Sequence, residues 1–342
     1  METKNVVIIG GGPAGLQAAI SLKKLGYIPI IVEKKNHLGG HLAEWDRLFP
    51  TRQKASVLLQ DLLSELGDNT SIYLNSEVKS INKLQEEFNV ILRSGITILC
   101  YSVVITTGFM LFPAEKKEEY GYHIYNNVIT NADLEKYFAT KADSRVPLNP
   151  KTVIYVHCVG SRDEKSGNKY CSKVCCATAV KQAIEIKEKF PDATVYCFYM
   201  DLRMFGRGYE ELYLKAQKEY DIRFVRGRVS EISEDINGKT IVKAEDTLAG
   251  KPIKIESDLV VLMAGMMPEP STSDICYMLG LQTESDGFLA SKNSIGLIHH
   301  TSRDGVFMAG ACSGPKTLPE TLAEARAVAE SVHYYISETI KA

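Results

Sequence analysis

Four of the chain's eight cysteines fall within nineteen residues, as Cys158, Cys171, Cys175 and Cys176 in the run CVGSRDEKSGNKYCSKVCC. An iron–sulfur cube takes four thiolates. In this C-x12-C-x3-C-C spacing three cysteines arrive within six residues, with a fourth one loop away, so all four can converge on one cluster. Two other chemistries use the same residue type. A structural zinc ion takes four cysteines, usually as spaced C-x2-4-C pairs. A redox dithiol favours a C-x-x-C pair, which the chain lacks. Buried inert thiols are the blandest reading, but this density is unlike ordinary core usage. The run leads into the helical pattern from Val174 to Lys189. The cysteines therefore crowd a helix start, whose free amides and partial positive charge lower thiol pKa and suit an anionic cluster. Cys100, Cys197, Cys276 and Cys312 stand singly, and Cys100, Cys197 and Cys312 read as packing residues.

The elements that must position these cysteines begin at the N-terminus. From Val6 to Ile9 runs an apolar stretch typical of a buried parallel strand. Helical periodicity follows from Pro13 to Leu25, then a second apolar strand from Ile28 to Val32. Between strand and helix stands Gly10-Gly11-Gly12-Pro13-Ala14-Gly15, a G-x-G-x-x-G turn, and the acidic Glu33 lies 23 positions after Gly10. Glycines there permit a tight turn and close backbone approach to a pyrophosphate at the helix N-terminus, and the acid can accept a ribose hydroxyl. Without a ligand the motif is only a glycine-rich turn; in strand–helix–strand–acid context it reads as a dinucleotide site.

Farther on, residues 53–66 pattern as an amphipathic helix and residues 71–106 as short β runs, a small antiparallel insertion returning to a parallel sheet. Residues 109–150 read as loop-rich, with a domain boundary near Pro150. A second αβ pattern then begins: a strand from Thr152 to His157, a helix from Val174, a strand from Thr194 to Phe198, a helix from Gly208 to Tyr220, and short β runs to 256. The apolar strand from Leu259 to Met263 and the residues after it look like a return to the first domain. The expected division is 1–150 with 257–342, which would bind a dinucleotide, and 151–256, which carries the cysteines.

Further segments favour FAD over NAD as that dinucleotide. They are Gly39-Gly40 and His41 past the acid, a strand ending at Thr107-Gly108, and GVFMAGACSGPKTLPETLAEA, which places Gly310, Ala311, Lys316, Thr317 and Leu318 between a strand and a helix. These resemble the FAD-contacting segments of two-dinucleotide-binding-domain flavoproteins of the thioredoxin reductase and glutathione reductase type. The resemblance implies a three-layer α/β fold with a small antiparallel insertion, a ribityl neighbour at Ala311, where an acid is usual, and backbone N–H groups of Thr317 and Leu318 near the flavin pyrimidine. Lys316 is the candidate catalytic charge beside reduced flavin, or else a solvent-facing lysine. Lys34 and Val78 complete the expected FAD-contacting set. The middle domain has no second glycine fingerprint: its strand runs straight into CVGSRDE, so ordinary nicotinamide binding there is not expected.

Over nearly the whole chain, CVGSRDE, YCSKVCCATAVKQA, YMDLRMFGRGYEELYLKAQ, FVRGRVSEI, AGACSGPKTLPETLAEA and GGHLAEWDRLFPT are similar to the A subunit of heterodisulfide reductase and its relatives. The resemblance implies FAD and a [4Fe-4S] cluster on Cys158, Cys171, Cys175 and Cys176. It also implies partner subunits of a heterodisulfide-reductase-like complex and, from the fold family, a homodimer. The methanogen subunits are longer, with cysteine-rich ferredoxin-like insertions and cysteines soon after the FPT segment; here FPTRQKASVLL has none. The chain thus looks most like the short A subunit of the heterodisulfide-reductase-like complex of sulfur oxidisers. The related A subunit of a quinone-interacting complex, a stand-alone NAD(P)H-dependent disulfide reductase and a scaffold holding FAD structurally are the alternatives. Composition agrees with a globular oxidoreductase: 45% hydrophobic, 24% charged, net charge −2, with nothing to recruit nucleic acid or an anionic membrane. METKNVVIIGGG lacks the features of a signal peptide, and no apolar run is long enough to insert in a bilayer, so a cytoplasmic location is expected.

Overall fold

The computed structural model describes residues 4–341, with side chains described to Glu338. The start of the segment read as lacking a signal peptide, residues 1–3, lies outside the described residues. The chain divides into two units: one holds the residues up to Ala43, Ser56–Met110 and everything from Met267, the other Glu44–Ala55 and Leu111–Met266.

In the first unit, β1 (Asn5–Ile9), α1 (Pro13–Lys24) and β2 (Ile28–Val32) form the expected opening. Then come α2 (Ala55–Leu66), whose first residue is counted with the second unit, and β3 (Ser71–Tyr73). The antiparallel insertion is β4 (Val78–Leu84), β5 (Glu87–Leu92) and β6 (Thr97–Cys100), and β7 (Ser102–Ile105) returns to the parallel sheet. Its inner positions, Phe88, Val90, Leu92 and Ile98, are buried, and each contributes on the order of 2 kcal/mol by leaving water. β8 (Phe109–Leu111) lies where the chain leaves this unit.

The second unit contains β9 (Val128–Thr130), α3 (Asn131–Thr140), β10 (Thr152–Val159), α4 (Cys175–Lys189), β11 (Thr194–Tyr199), α5 (Tyr209–Lys218) and β12 (Arg223–Arg226). An antiparallel meander follows, β13 (Val229–Glu234), β14 (Thr240–Asp246) and β15 (Lys251–Ser257), and then β16 (Leu259–Ala264). The five-stranded sheet runs β12-β11-β10-β16-β9, all parallel. Its middle strands are buried on both faces, which is why β10 and β16 are continuous apolar runs.

The expected boundary at Pro150 is displaced to 110/111. Residues 111–150 are more ordered than their charge suggested, because Thr130 and Asp133 cap α3 reciprocally and Leu134 and Tyr137 anchor it in the core. Glu135 on α3 pairs with the buried Lys181 of α4. The segment 44–55 joins the second unit through Asp46 N–H donating to Glu135 (3.1 Å), an Arg52–Glu188 ion pair and an edge-on Phe49–Tyr209 contact.

The chain returns through β17 (Met266–Pro268) and α6 (Pro270–Leu279) to β18 (Val306–Met308) and α7 (Leu318–Lys341). The first unit's sheet is β18-β7-β1-β2-β3, again all parallel. α7 packs on α1, and the small residues Ala18 and Ala19 on α1 and Ala325 and Ala329 on α7 are all buried. No helix among the described residues is long and apolar enough to cross a membrane.

Candidate functional site

Sheet order places the first candidate site. β2 lies on one side of β1 and β7 on the other, and open α/β sheets bind ligands beyond the strand ends at such a reversal. The three fingerprint glycines there serve different needs. A Cβ at Gly10 (φ +112°) would lie 2.4 Å from Thr106 O, and one at Gly15 would lie 2.0 Å from Gly10 O; both are demanded by the protein's own backbone. A Cβ at Gly12 would meet nothing within 4 Å. Gly12 is also the N-cap of α1 and offers no side-chain cap, so the N–H groups of the first turn beyond Pro13 are left for an anion. The open space at Gly12 fits a pyrophosphate.

Glu33 is buried; its Oε2 accepts from Gly11 N–H (2.6 Å) and its Oε1 from Lys35 N–H (2.7 Å), and the remaining lone pairs can still accept a ribose hydroxyl. A cleft is lined by Gly10, Glu33, Lys34, Val78 and Thr107, with Arg93 and Asp274 beyond the expected set. The Lys34 ammonium turns aside to Glu269. The Thr107 hydroxyl is 2.6 Å from that of Thr272. Gly40 lies against the fingerprint, since a Cβ on it would stand 3.2 Å from Gly12 Cα; Gly39 packs on Leu59, and Gly108 faces open space. His41 stacks on Phe109 with centroids 4.5 Å apart, and its Nε2 donates to Phe109 O at 3.0 Å.

On the returning segment Gly310 touches the start of α1, where a Cβ would come 2.8 Å from that of Ala14, and Ala311 is buried beside it. Of the two alternatives for Lys316, the solvent-facing one does not match its placement. Its ammonium is folded into its own turn, 2.6 Å from Ser313 Oγ, 3.3 Å from Gly310 O and 3.4 Å from Glu324, whose other oxygen accepts from Gly310 N–H at 3.0 Å. Thr317, expected to present its N–H to a flavin, gives both N–H and hydroxyl to Glu320 (2.9 Å each) as the cap of α7, which starts at Leu318. The thiol of Cys312 is buried, pushed up to about 12 by that burial, and lies 3.3 Å from Ile105 O and Ala309 O, as a packing residue would.

The second candidate site stands at the same topological position in the other sheet. β11 flanks β10 on one side and β16 on the other, and Cys158 is the penultimate residue of β10. Cys158, Cys171, Cys175 and Cys176 line one small pocket, with Arg162 and Arg203. Cys175 and Cys176 are the first residues of α4. Lys173 N–H donates to Cys171 Sγ at 3.3 Å, and the Sγ atoms of Cys175 and Cys176 lie 3.9 Å from Ala264 O and 3.8 Å from Asp201 O. Cys158 and Lys173 hold left-handed backbone (φ +59° and +62°). Such strain costs roughly 1–3 kcal/mol at a non-glycine residue and concentrates at functional sites.

The expected lowering of thiol pKa by the helix end is overridden. Burial pushes Cys158 and Cys175 above the ordinary thiol value and Cys176 to about 11, with repulsion among the cysteines adding and the Arg162 charge opposing at Cys158. Thiols so held are poor nucleophiles, which disfavours a dithiol reductase; metal coordination would release their protons. Among the described residues no group of three or more His, Cys, Asp or Glu side chains is already drawn together around a single metal ion's position.

Residues that the sequence did not single out shape the loop between Cys158 and Cys171. Lys117 and Asp163 form a buried ion pair at 2.5 Å. Asp163 also accepts from Lys165 N–H (3.1 Å) and Ser166 Oγ (2.9 Å), while Asn168 Nδ2 donates to Gly160 O (2.9 Å). The turn signal in DEKSGN could have suggested Asp163; nothing local points to Lys117. Burial alone would raise the Asp163 carboxyl, but the adjacent Lys117 ammonium outweighs it and holds the group down at about 2. Its contribution to stability is therefore complete above about pH 4 and is withdrawn as pH falls through about 2. Asp163→Asn leaves the buried Lys117 with only the partly exposed Glu119 (3.0 Å) as counter-charge, and we expect a loss of roughly 1–3 kcal/mol in thermal or urea unfolding at neutral pH.

The model of the pyridine nucleotide-disulphide oxidoreductase family matches residues 4–144. The thioredoxin reductase of T. acidophilum superposes with a TM-score of 0.67 over 98% of this chain and 99% of that one, at 22% identity. Fold and fingerprint together define an α/β oxidoreductase of the two-dinucleotide-binding flavoprotein class. Within that class its curated relatives, at about 30% identity over most of the chain, are named heterodisulfide reductase A subunits. The chain is 32% identical, over 96% of its length, to the iron-sulfur A subunit of the CoB--CoM heterodisulfide reductase of Methanocaldococcus jannaschii. The identity is also 32%, over 98% of its length, to the A subunit of the H(2)/formate:CoB-CoM heterodisulfide,ferredoxin reductase of Methanococcus maripaludis. The chain spans 64% of the length of each of these relatives.

Proposed function

We propose that this chain is the FAD- and [4Fe-4S]-carrying electron-transfer subunit of a heterodisulfide-reductase-like complex. The observation that carries this reading is the meeting of four cysteines in one cavity at the reversal point of the second sheet, where a nicotinamide dinucleotide would otherwise bind. FAD supplies two-electron chemistry and the cluster single-electron steps. Gly10, Gly12, Pro13, Ala14 and Gly15 would cradle the pyrophosphate, and Glu33 would hold the ribose. Lys34, Gly39, Gly40, His41, Val78, Thr107, Gly108, Gly310, Ala311, Lys316, Thr317 and Leu318 complete the set assigned to the flavin. Lys316, held by Ser313 and Glu324, would keep the 310–317 turn in place and lend positive charge to it. Cys158, Cys171, Cys175 and Cys176 would ligate the iron.

The relatives are named as parts of larger reductases, which supports partner subunits for this chain. Alignment with the Methanocaldococcus jannaschii relative runs over 418 positions against 342 residues here, so that relative carries inserted segments this chain lacks. That brevity and the cysteine-free FPTRQKASVLL support a role in sulfur-compound oxidation, with a homodimer and a cytoplasmic location as the expected setting. Iron, sulfide and flavin analysis of anaerobically purified protein tests the cofactor assignment: about four iron and four sulfide per FAD are expected, and flavin without iron contradicts it. The site also predicts that NADH and NADPH fail to bleach the flavin rapidly. Rapid bleaching coupled to disulfide turnover would instead establish a stand-alone disulfide reductase.

A further inference from the structure

In the first unit the acid that follows the second strand is Glu33, the expected ribose partner. In the second unit the corresponding strand, β11, which follows β10 and α4 as β2 follows β1 and α1, ends at Tyr199, and the acid that follows is Asp201. Asp201 is committed elsewhere. Its Oδ2 accepts from Arg162 Nη2 at 2.6 Å, and its Oδ1 lies 3.9 Å from Arg226. Arg162 lies four residues beyond Cys158 and lines the cysteine cavity. Its backbone is left-handed (φ +54°) and is held by its own N–H donating to Tyr170 O at 2.8 Å. Tyr170 in turn donates its hydroxyl to Met266 O at 2.9 Å. The loop thus spends backbone strain to aim this side chain. The other terminal nitrogen of the guanidinium, Nη1, is buried and makes no well-formed hydrogen bond. The guanidinium lies against Cys158, whose thiol its charge and a side-chain hydrogen bond hold down against the effect of burial. A buried guanidinium N–H short of a full acceptor costs on the order of 1–3 kcal/mol, so the Arg162 head beside the cysteines is suited to a sulfur acceptor there.

We propose that Arg162 is a cluster contact that sets the redox potential: its Nη1 donates to a cluster sulfur, and Asp201, the redeployed ribose acid, is the positioning residue that holds the guanidinium there. This rests on the cluster reading above. Reduction adds one electron to the cluster and no proton; Arg162 stays charged, since its guanidinium does not deprotonate in proteins. A fixed positive charge and a hydrogen bond to sulfur both stabilise the more negative, reduced form, so Arg162 raises the potential. Asp201 is half exposed, and its own charge is screened by water; its effect therefore passes mainly through the placement of Arg162. The same commitment removes the carboxylate a nicotinamide ribose would use.

The test is an EPR-monitored potentiometric titration of the anaerobically purified full chain, native against Arg162→Gln, Arg162→Lys, Asp201→Asn and the double variant Arg162→Gln/Asp201→Asn. At a fixed potential Arg162→Gln should show about tenfold less reduced relative to oxidised cluster, about 59 mV for a one-electron couple. Arg162→Lys keeps the charge without the fork and should fall between. Asp201→Asn should shift the same way by less, and should add nothing once Arg162 is glutamine. A full iron complement with unchanged potential in Arg162→Gln overturns the proposal. If that variant loses iron, unchanged potentials in both Arg162→Lys and Asp201→Asn overturn it instead. A native protein without iron contradicts the cluster reading itself, and iron analysis separates that failure from the failure of this proposal.

Discussion

Cys171→Ser is expected to retain FAD and lose most of its iron, together with the EPR signal of the reduced cluster. Serine preserves the shape of the site: its hydroxyl can accept the Lys173 N–H that Cys171 Sγ accepts at 3.3 Å, and Cys171 is only partly buried, so the fold should stand. What serine cannot supply is a soft thiolate. Cys197→Ala is the control. Cys197 lies in the core of the second unit on β11 and does not line the cysteine cavity, so its removal should cost roughly 1–2 kcal/mol of stability and no iron. Equal iron loss in both variants would indicate general destabilisation instead of a lost ligand; unchanged iron in Cys171→Ser would remove that residue from the ligand set.

The second large effect separates glycines that serve the fold from the glycine that serves the ligand. Gly15→Ala forces a Cβ to within 2.0 Å of Gly10 O, and Gly10→Ala one to within 2.4 Å of Thr106 O. The strand–helix junction cannot yield that far, so each should destabilise the first unit by about 3 kcal/mol or more, read in thermal unfolding. Gly12→Val meets no protein atom within 4 Å of its Cβ and should leave the apo melting temperature nearly unchanged. Its side chain would occupy the space assigned to the pyrophosphate. FAD affinity should then fall by about 100-fold or more, the order of two lost charge-assisted hydrogen bonds. A Gly12→Val protein that binds FAD normally would place the dinucleotide elsewhere.

How much was legible in the sequence divides along the range of the interactions. β1, α1, β2 and Glu33 could be read directly, because strand burial, helix periodicity and glycine turn are all encoded within 33 residues. The cysteine convergence was legible for the same reason: Cys171, Cys175 and Cys176 arrive together at the start of α4. The antiparallel insertion followed from alternation in β4, β5 and β6. The Lys117–Asp163 pair was not legible, since its partners lie 46 positions apart and neither carries a local signal. The same holds for the attachment of 44–55 to the second unit, carried by Glu135 and Glu188 far along the chain. α3 was readable in principle from the Thr130–Asp133 capping pair, but the charged stretch around it masked the signal. The thiol pKa values went opposite to expectation because a helix-end effect is small beside desolvation, and burial is not visible in spacing. Lys316 and Thr317 were placed in the right turn, yet their partners Glu324 and Glu320 on α7 decide where their polar groups point.

Whether one chain carries both a flavin and a cluster is tested most directly by an anaerobic reductive titration that counts electrons. About three electron equivalents per chain are expected, two entering the flavin and one the cluster, with an EPR signal that disappears in Cys171→Ser along with the third equivalent. Two equivalents, all accounted for by flavin bleaching and with no iron-dependent signal, would contradict it.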